Sequence, residues 1–458
     1  MNRHQRSARS NIRRLATGRL ISVTGGAAAY TALNFTVWER THSPVAQALA
    51  LLLTFGVAGL VGPFLGALGD RYDRRKVMVW SEAVAAAVFG AMALVDRPAW
   101  LIGLAFVSAI AEQPFFSASR AAIPNLIDDE DQLSWANSLV TIGVHSGIAV
   151  GPVLGGVMLA AFGPGVVFGL NAITFLVSLW LTLTVTGSFQ DQASSSAEHA
   201  EHEGMTAGLR LLWSDLVFRR MSIAWTVFLL GMGMGMVADA ALAESFEGSG
   251  GVALLGFAID TEVAFALLIT CWGLGSVLGS ATGRWMTPRT EPSWLVFGAF
   301  GIAFAAFGVG AAPAFALVLV ALLIMGICDG FTIVSETGIM QRRTPDAVRS
   351  RTNAAFEAVL SFGLAIAYLM AGPVLAAVGP QAVYKIAGGA ALLAAIALTP
   401  LLRLRRDPTQ LGEQGGDDDA GAVTPSKPPS VVPTGFASAD ALEAAGPDLG
   451  DGLGRRPA

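Results

Sequence analysis

Charge is scarce in this 458-residue chain. Asp, Glu, Lys and Arg make up 14% of it, against about a quarter in an average soluble protein. What charge there is gathers at the ends: six of the 29 Lys and Arg residues fall in the first nineteen positions, and nine of the 34 Asp and Glu residues lie beyond Leu402. The stretch between them has too little charge to cover a water-facing surface. With 53% apolar residues and a mean hydropathy of +0.58, a water-soluble enzyme is excluded. Cysteine is nearly absent. Cys271 and Cys328 both lie in apolar runs, which suggests neither a disulfide framework nor a metal cluster. A basic excess is missing too: the net charge is −5, which gives no reason to expect a nucleic-acid partner. No G-x4-G-K-[ST] loop occurs, so ATP is not the energy source within the chain. No nucleophile–base pair stands out, and neither an enzyme nor a cofactor or metal is expected. No small-residue cleavage site follows the basic start, so the first apolar span is expected to remain in the mature chain.

What is there is hydrocarbon. Runs such as Val84–Leu94 and Phe315–Ile327 are apolar on every face, which reads as helix in lipid, and strand-type alternation is absent. A bilayer core takes about 20 helical residues to cross. Twelve candidate spans are centred near residues 28, 56, 86, 108, 148, 175, 229, 273, 301, 324, 364 and 390. With both termini in the cytoplasm, only Arg40, Arg97 and Lys385 fall outside, the asymmetry that the positive-inside rule demands. The expected organisation is a basic N-terminal arm (1–16), a six-helix bundle (17–187), a polar linker (188–215), a second six-helix bundle (216–404) and a disordered tail (405–458). Composition puts both the linker and the tail in the cytoplasm.

The halves echo each other. Gly62-x3-Gly66 leads to Asp70-Arg71 after span 2, and Gly275-x3-Gly279 leads to Gly283-Arg284 after span 8. Asn137 is answered by Asn353, and Gly151-Pro152 by Gly372-Pro373. Repeated six-helix halves are the mark of a transporter whose bundles rock about a central site. Two motifs add to this. The loop after span 2 places Gly66, Asp70, Arg71, Arg74 and Arg75 in Gly-x3-Asp-Arg-x2-Arg-Arg order. Span 5 carries Gly147, Gly151, Pro152, Gly155 and Gly156, a face of nearly bare backbone with a proline kink.

The spacing of the loop after span 2 resembles the signature loop of the major facilitator superfamily. The glycines of span 5 resemble the motif of its exporters and antiporters, where that motif lies against span 8. Val37–Pro44, Ser119–Leu126 with Asn137, and Gln341–Pro345 with Arg349–Arg351 make the chain similar to the efflux branch that includes bacterial siderophore exporters and macrolide efflux pumps. The resemblance covers about Arg14 to Leu404 and implies an all-α membrane protein, twelve helices in two pseudo-symmetric bundles. It also implies a latch between the bundles made by Asp70, Arg71 and Arg74, with Gly66 as the close-packing position. Asp73 stands where a glycine is common. Gly283 stands where Asp70 has its counterpart, so the latch should be asymmetric.

Charge inside a bilayer costs a few kcal/mol or more and needs a reason. Glu112 lies about 12 residues, or 18 Å, from either end of span 4. Asp329 in span 10 is the nearest counterpart. A carboxyl removed from water favours its neutral form, the property a proton carrier needs. His145 can also titrate. Static roles stay open: Glu112 as partner of Arg120, Asp329 as partner of a loop arginine, His145 as a core histidine. Asp239, Glu244, Asp260 and Glu262 flank an outer loop and read as solvated. Glu336 and Glu357 lie close enough to a cytoplasmic end to reach the interface. Asn34, Gln113, Asn171 and Trp272 are candidates for a central cavity. The expected function is export of an amphiphilic small molecule (a drug, macrolide-like compound or siderophore) across the bacterial inner membrane by proton antiport with alternating access, in a monomer. A proton-coupled importer and a non-transporting receptor or scaffold of the same fold are the rival readings.

Overall fold

The computed structural model describes residues 3–66, 72–127, 130–187, 189, 209–248, 251–344 and 349–406. A bilayer offers the backbone no hydrogen-bonding partner, so chain crossing it must close its own ladder. Helix α1 is Arg3–Thr41. Helix α2 runs as Pro44–Leu51, a π-helical stretch Leu52–Val57 and Ala58–Gly66. The first half continues with α3 (Arg74–Met92), α4 (Pro98–Ala122), α5 (Glu130–Phe162) and α6 (Pro164–Thr184). The second half has α7 (Leu216–Glu244), α8 (Thr261–Ser280), α9 (Glu291–Ala311), α10 (Phe315–Arg343), α11 (Arg349–Val378) and α12 (Pro380–Leu398). Among the described residues, ten helices meet the length and hydropathy of a membrane span. Helix α3, with its polar first turn, and the long α5 complete the twelve crossings. Every span centre read from the sequence falls within its helix.

The amphipathicity is inverted relative to a soluble bundle. Leu94, Trp80, Leu369 and Phe297 are 87%, 70%, 67% and 66% exposed, a surface that suits lipid and would aggregate in water. Alanine and glycine line the helix contacts, as expected where backbones must approach closely without a hydrophobic driving force. Segment 3–16 is helical, continuous with α1, and buries Ile12, Leu15 and Ala16. The stretch between α7 and α8 holds a small antiparallel sheet, β1 (Glu247–Gly248), β2 (Gly251–Leu254) and β3 (Phe257–Ile259), where the sequence suggested only a loop. The polar linker is described only at 189 and from 209 on, and the tail only to Arg406; the rest of both lies outside the described residues.

The repeat is explicit in the packing. In the first half α1 packs on α5 and α6, and α3 on α4 and α6. In the second, α7 packs on α11 and α12, and α9 on α10 and α12. The α5–α6 and α11–α12 corners are the same corner twice: Gly163 (φ 77°) before Pro164, and Gly379 (φ 79°) before Pro380. Glycine tolerates that left-handed turn, and proline suits the first helical position after it.

The halves meet along two seams, α5 on α8 and α2 on α11. On the α5 seam, Gly156 faces Ala266. On the α2 seam, the π-helical Gly56 faces Ala365 and Gly372 faces Val45. One side of the molecule carries the start of α1 and the end of α12 and is called here the terminal side; the other is the far side. On the far side both bundles share one apolar core, which includes Phe35, Val37, Val237 and Phe265. On the terminal side each bundle has its own core, one around Ile12, Phe115 and Val140 and one around Phe218, Trp225 and Phe356. The far side is thus closed. There Trp38 Nε1 at the end of α1 donates to Glu244 Oε2 at the end of α7 (2.5 Å), and His42 Nδ1 lies 3.4 Å from Glu244 Oε1.

The glycine motif of α5, which the resemblance places against span 8, meets that helix only in part. On α8, Gly275, Gly279 and Gly283 face α10, meeting Leu323, Ile327 and Val334, while Gly326 and Gly330 of α10 face back on Trp272 and Ser276. On α5, Gly147, Gly151 and Gly155 face Thr24, Ala27 and Ala28 of α1, and only Gly156 reaches α8. Spacing tells which face is small, not which helix it meets.

Substituting Gly326→Val drives a side chain into the α8 backbone and is expected to cost about 1–3 kcal/mol. Gly389→Ala on α12, where a Cβ meets nothing, should be neutral or stabilising by up to about 1 kcal/mol. Melting of detergent-purified protein, followed by size-exclusion fluorescence, compares the two; equal behaviour contradicts the assigned contact.

Candidate functional site

Between the bundles lies a cavity of about 630 Å³. Its wall follows helical spacing. Helix α1 contributes Arg19, Ser22, Gly26, Tyr30 and Asn34, α4 contributes Ser108, Glu112, Gln113 and Phe116, and α7 contributes Phe228, Met232, Met236 and Asp239. Trp272 enters from α8 and Asp329 from α10. The surface is mainly aromatic, thioether and aliphatic, interrupted by a few polar groups, as ligand cavities generally are.

Four carboxyl groups reach the wall, two from each bundle. Glu82 of α3 accepts a hydrogen bond from Ser178 of α6 and is 2% exposed. Glu112 has no hydrogen-bonding partner among the described residues. Asp239 of α7 accepts from the Tyr384 hydroxyl of α12. Asp329 Oδ2 accepts from Ser276 Oγ of α8 at 3.4 Å. Among the described residues the one arginine on the wall is Arg19, whose guanidinium carbon lies 4.4 Å from the Phe116 ring centroid and 5.0 Å from that of Phe115.

Several readings of the sequence change here. Asp239, read as a solvated loop acid, is a cavity residue, because α7 continues to Glu244 and holds position 239 well inside the helix. Asn171, a cavity candidate, is instead buried between α6 and α1, where its Oδ1 faces Gly25 and accepts from Thr174. Asn34, Gln113 and Trp272 do reach the cavity. There Asn34 Oδ1 accepts from Gln47, and Gln113 Nε2 donates to the Ala109 carbonyl of its own helix (3.3 Å). Pro152 also reaches the wall. Arg19 and Glu82 were missed. Both belong to α helices whose nearby basic residues are interfacial, and only their position one or more turns deeper distinguishes them.

On the terminal side the described basic groups hold each bundle together. Arg74 Nη1 donates to the Ala121 carbonyl at the end of α4 (2.9 Å). Arg75 Nη2 donates to the Leu183 carbonyl at the end of α6 (2.5 Å). These are favourable cation-to-carbonyl contacts at helix C-termini. In the second half Arg342 pairs with Glu291, and Arg343 Nε lies 3.0 Å from Asp215 Oδ2. Asp70 and Arg71 lie outside the described residues, as do the side-chain surroundings of Gly66, which ends α2. His145 belongs to α5, but its side chain also lies outside the described residues.

The geometry has relatives. The family model described as Major Facilitator Superfamily matches residues 15–261 and 240–443. The chain is 27% identical over 416 residues to the enterobactin exporter EntS of Escherichia coli O6:K15:H31 (strain 536 / UPEC), covering 87% of this chain and 94% of that protein. It is 25% identical over 402 residues to the enterobactin exporter EntS of Citrobacter koseri, covering 85% and 91%. Among solved structures, the nucleoside transporter NupG superposes with a TM-score of 0.63 at 16% identity, over 86% of this chain and 99% of that one. The peptide transporter POT in complex with sulfate gives 0.64 at 11%, over 90% and 100%; at these identities the likeness is one of fold. Twelve helices in two repeated bundles around a shared cavity, matched by that family model over most of the chain, make this a multi-pass membrane transporter that belongs to the Major Facilitator Superfamily.

Proposed function

We propose that the chain exports an amphiphilic small molecule, of siderophore, macrolide-like or drug type, across the bacterial inner membrane in exchange for protons. The observation that carries this reading is the pairing of a largely apolar cavity with a carboxyl on each of two repeat-related helices, Glu112 on α4 and Asp329 on α10. An ionised carboxylate facing a largely apolar cavity is costly, and a proton removes that cost. Protonation therefore shifts the balance between the two arrangements of the bundles. In this reading Glu112 and Asp329 are the coupling acids, with His145 as a third titratable candidate.

The direction rests on two supports. The first is the glycine face of α5, Gly147, Gly151, Gly155 and Gly156 with Pro152, which lets α5 lie against α1 and reach α8. The second is the kinship to enterobactin exporters. With both termini in the cytoplasm, as the basic residues argue, the separated terminal side faces inward and the cavity loads from the cytoplasm. The loop of Gly66, Asp70, Arg71, Arg74 and Arg75 would set the balance between states, Arg74 and Arg75 exchanging their carbonyl contacts on α4 and α6 for the other bundle. The transporter works as a monomer in the lipid bilayer, and its cargo and protons are its partners.

The test is reconstitution in proteoliposomes with an imposed pH gradient, with enterobactin and a macrolide as cargoes. The wild-type chain is expected to move one of them against its gradient, driven by protons. Glu112→Gln and Asp329→Asn should each abolish the pH-driven component at unchanged protein level. Full proton-driven export in the doubly substituted protein would remove both residues from the mechanism, and uptake in the opposite direction would establish an importer.

A further inference from the structure

Arg19 is 6% exposed and lies on the cavity wall, a costly place for a permanent cation. Its guanidinium rests on the rings of Phe115 and Phe116. Glu112 and Glu82 attract it and Arg120 repels it, yet no ion pair joins it to a described residue. The polar and charged groups on the other helices are these. Helix α6 presents Ser178, which is spent on Glu82. Asp239 and Asp329 stand on the opposite bundle. Helix α5 carries His145, whose side chain is outside the described residues. The guanidinium rests on the faces of two aromatic rings, and a carboxylate one helical turn from those rings would hold it more strongly when ionised.

Resting on the antiport reading above, we propose that Arg19 couples the proton on Glu112 to cargo binding by moving between the Glu112 carboxylate and the Phe115–Phe116 faces, so that those two rings are a cargo subsite open only while Glu112 is ionised. An ionised Glu112 draws the guanidinium off the rings. The uncovered shelf then takes a planar, uncharged aromatic or flat apolar part of the cargo by stacking. Protonation of Glu112 ends the attraction, Arg19 returns to the rings, and the cargo is displaced. Proton and cargo exclude one another, which is the sign that exchange requires; an anion bound directly by Arg19 would instead be favoured by protonation and would travel with the proton. The structure has Arg19 on the rings, the arrangement that belongs to a neutral Glu112. Arg19 acts here as a positioning residue, through Glu112 and the rings.

A fluorine label reads the shelf without any cargo. With 4-fluorophenylalanine at position 116 in the purified full-length chain, the ¹⁹F resonance should move between two positions as pH is raised. Glu112→Gln should hold it at its acid-side position throughout. Arg19→Gln should leave a resonance that no longer titrates, whereas Glu82→Gln should keep the titration. An unaltered titration in Glu112→Gln overturns the proposal, and that variant alone decides it if the Arg19 variants fail to fold. In a second arm, enterobactin binding should fall by about tenfold in Glu112→Gln and return in Arg19→Gln/Glu112→Gln, as expected for freeing a ring face from a cation. Binding by the double variant no tighter than by Glu112→Gln contradicts the subsite. Absence of enterobactin binding in the wild-type chain bears on the cargo reading of the previous section, and the fluorine experiment still decides this one.

Discussion

A hydrocarbon layer solvates neither a backbone amide nor a charge, and most of this molecule follows from that constraint. The chain closes its backbone hydrogen bonds within twelve helices. It turns large apolar side chains outward and packs its interior on alanine and glycine. Among the described residues, five charged side chains at depth converge from both bundles on one cavity: Arg19, Glu82 and Glu112 from the first, Asp239 and Asp329 from the second. Such convergence is the economical solution, because a polar group inside a bilayer must face either another polar group or a water-filled space.

The same constraint shapes the contact between the halves. Lipid tails are as apolar as leucine, so the bundles gain little from burying more grease against each other, and the seams are made of close backbone approach instead. Gly156 on Ala266 and Gly56 on Ala365 are such contacts. The polar clasp of Trp38 and Glu244 adds a directional contact on the far side, where the apolar core is also continuous. On the terminal side Arg74 and Arg75 bind carbonyls within their own bundle, and the cores are separate.

The fold was legible because its signal is redundant. Runs such as Phe315–Ile327 are apolar on every face, and the basic residues gather in every second loop between the spans. The site was half legible. Glu112 and Asp329 stood out as lone acids in long apolar spans. Asp239 did not, because the polar run after Glu244 makes the outer part of α7 look like loop. Arg19 was hidden by the five arginines before it, which share its residue type but lie closer to the interface. Glu82 was hidden by the basic start of α3. The glycine face of α5 was found, but its main neighbour, α1, was not, since spacing marks a small face and not the helix it meets. In each case the missing knowledge was depth or partner, which a linear pattern does not carry.

Alternating access about this cavity is most directly tested by pulsed-EPR distances in lipid nanodiscs. One pair of spin labels goes on the far side, at Thr41 and Glu247, and one on the terminal side, at Arg13 and Arg219. If the bundles rock, acid and alkaline pH will populate two distances for each pair, and the far-side distance will lengthen as the terminal-side distance shortens. Distances that stay fixed at both sides, or that lengthen and shorten together, would contradict it.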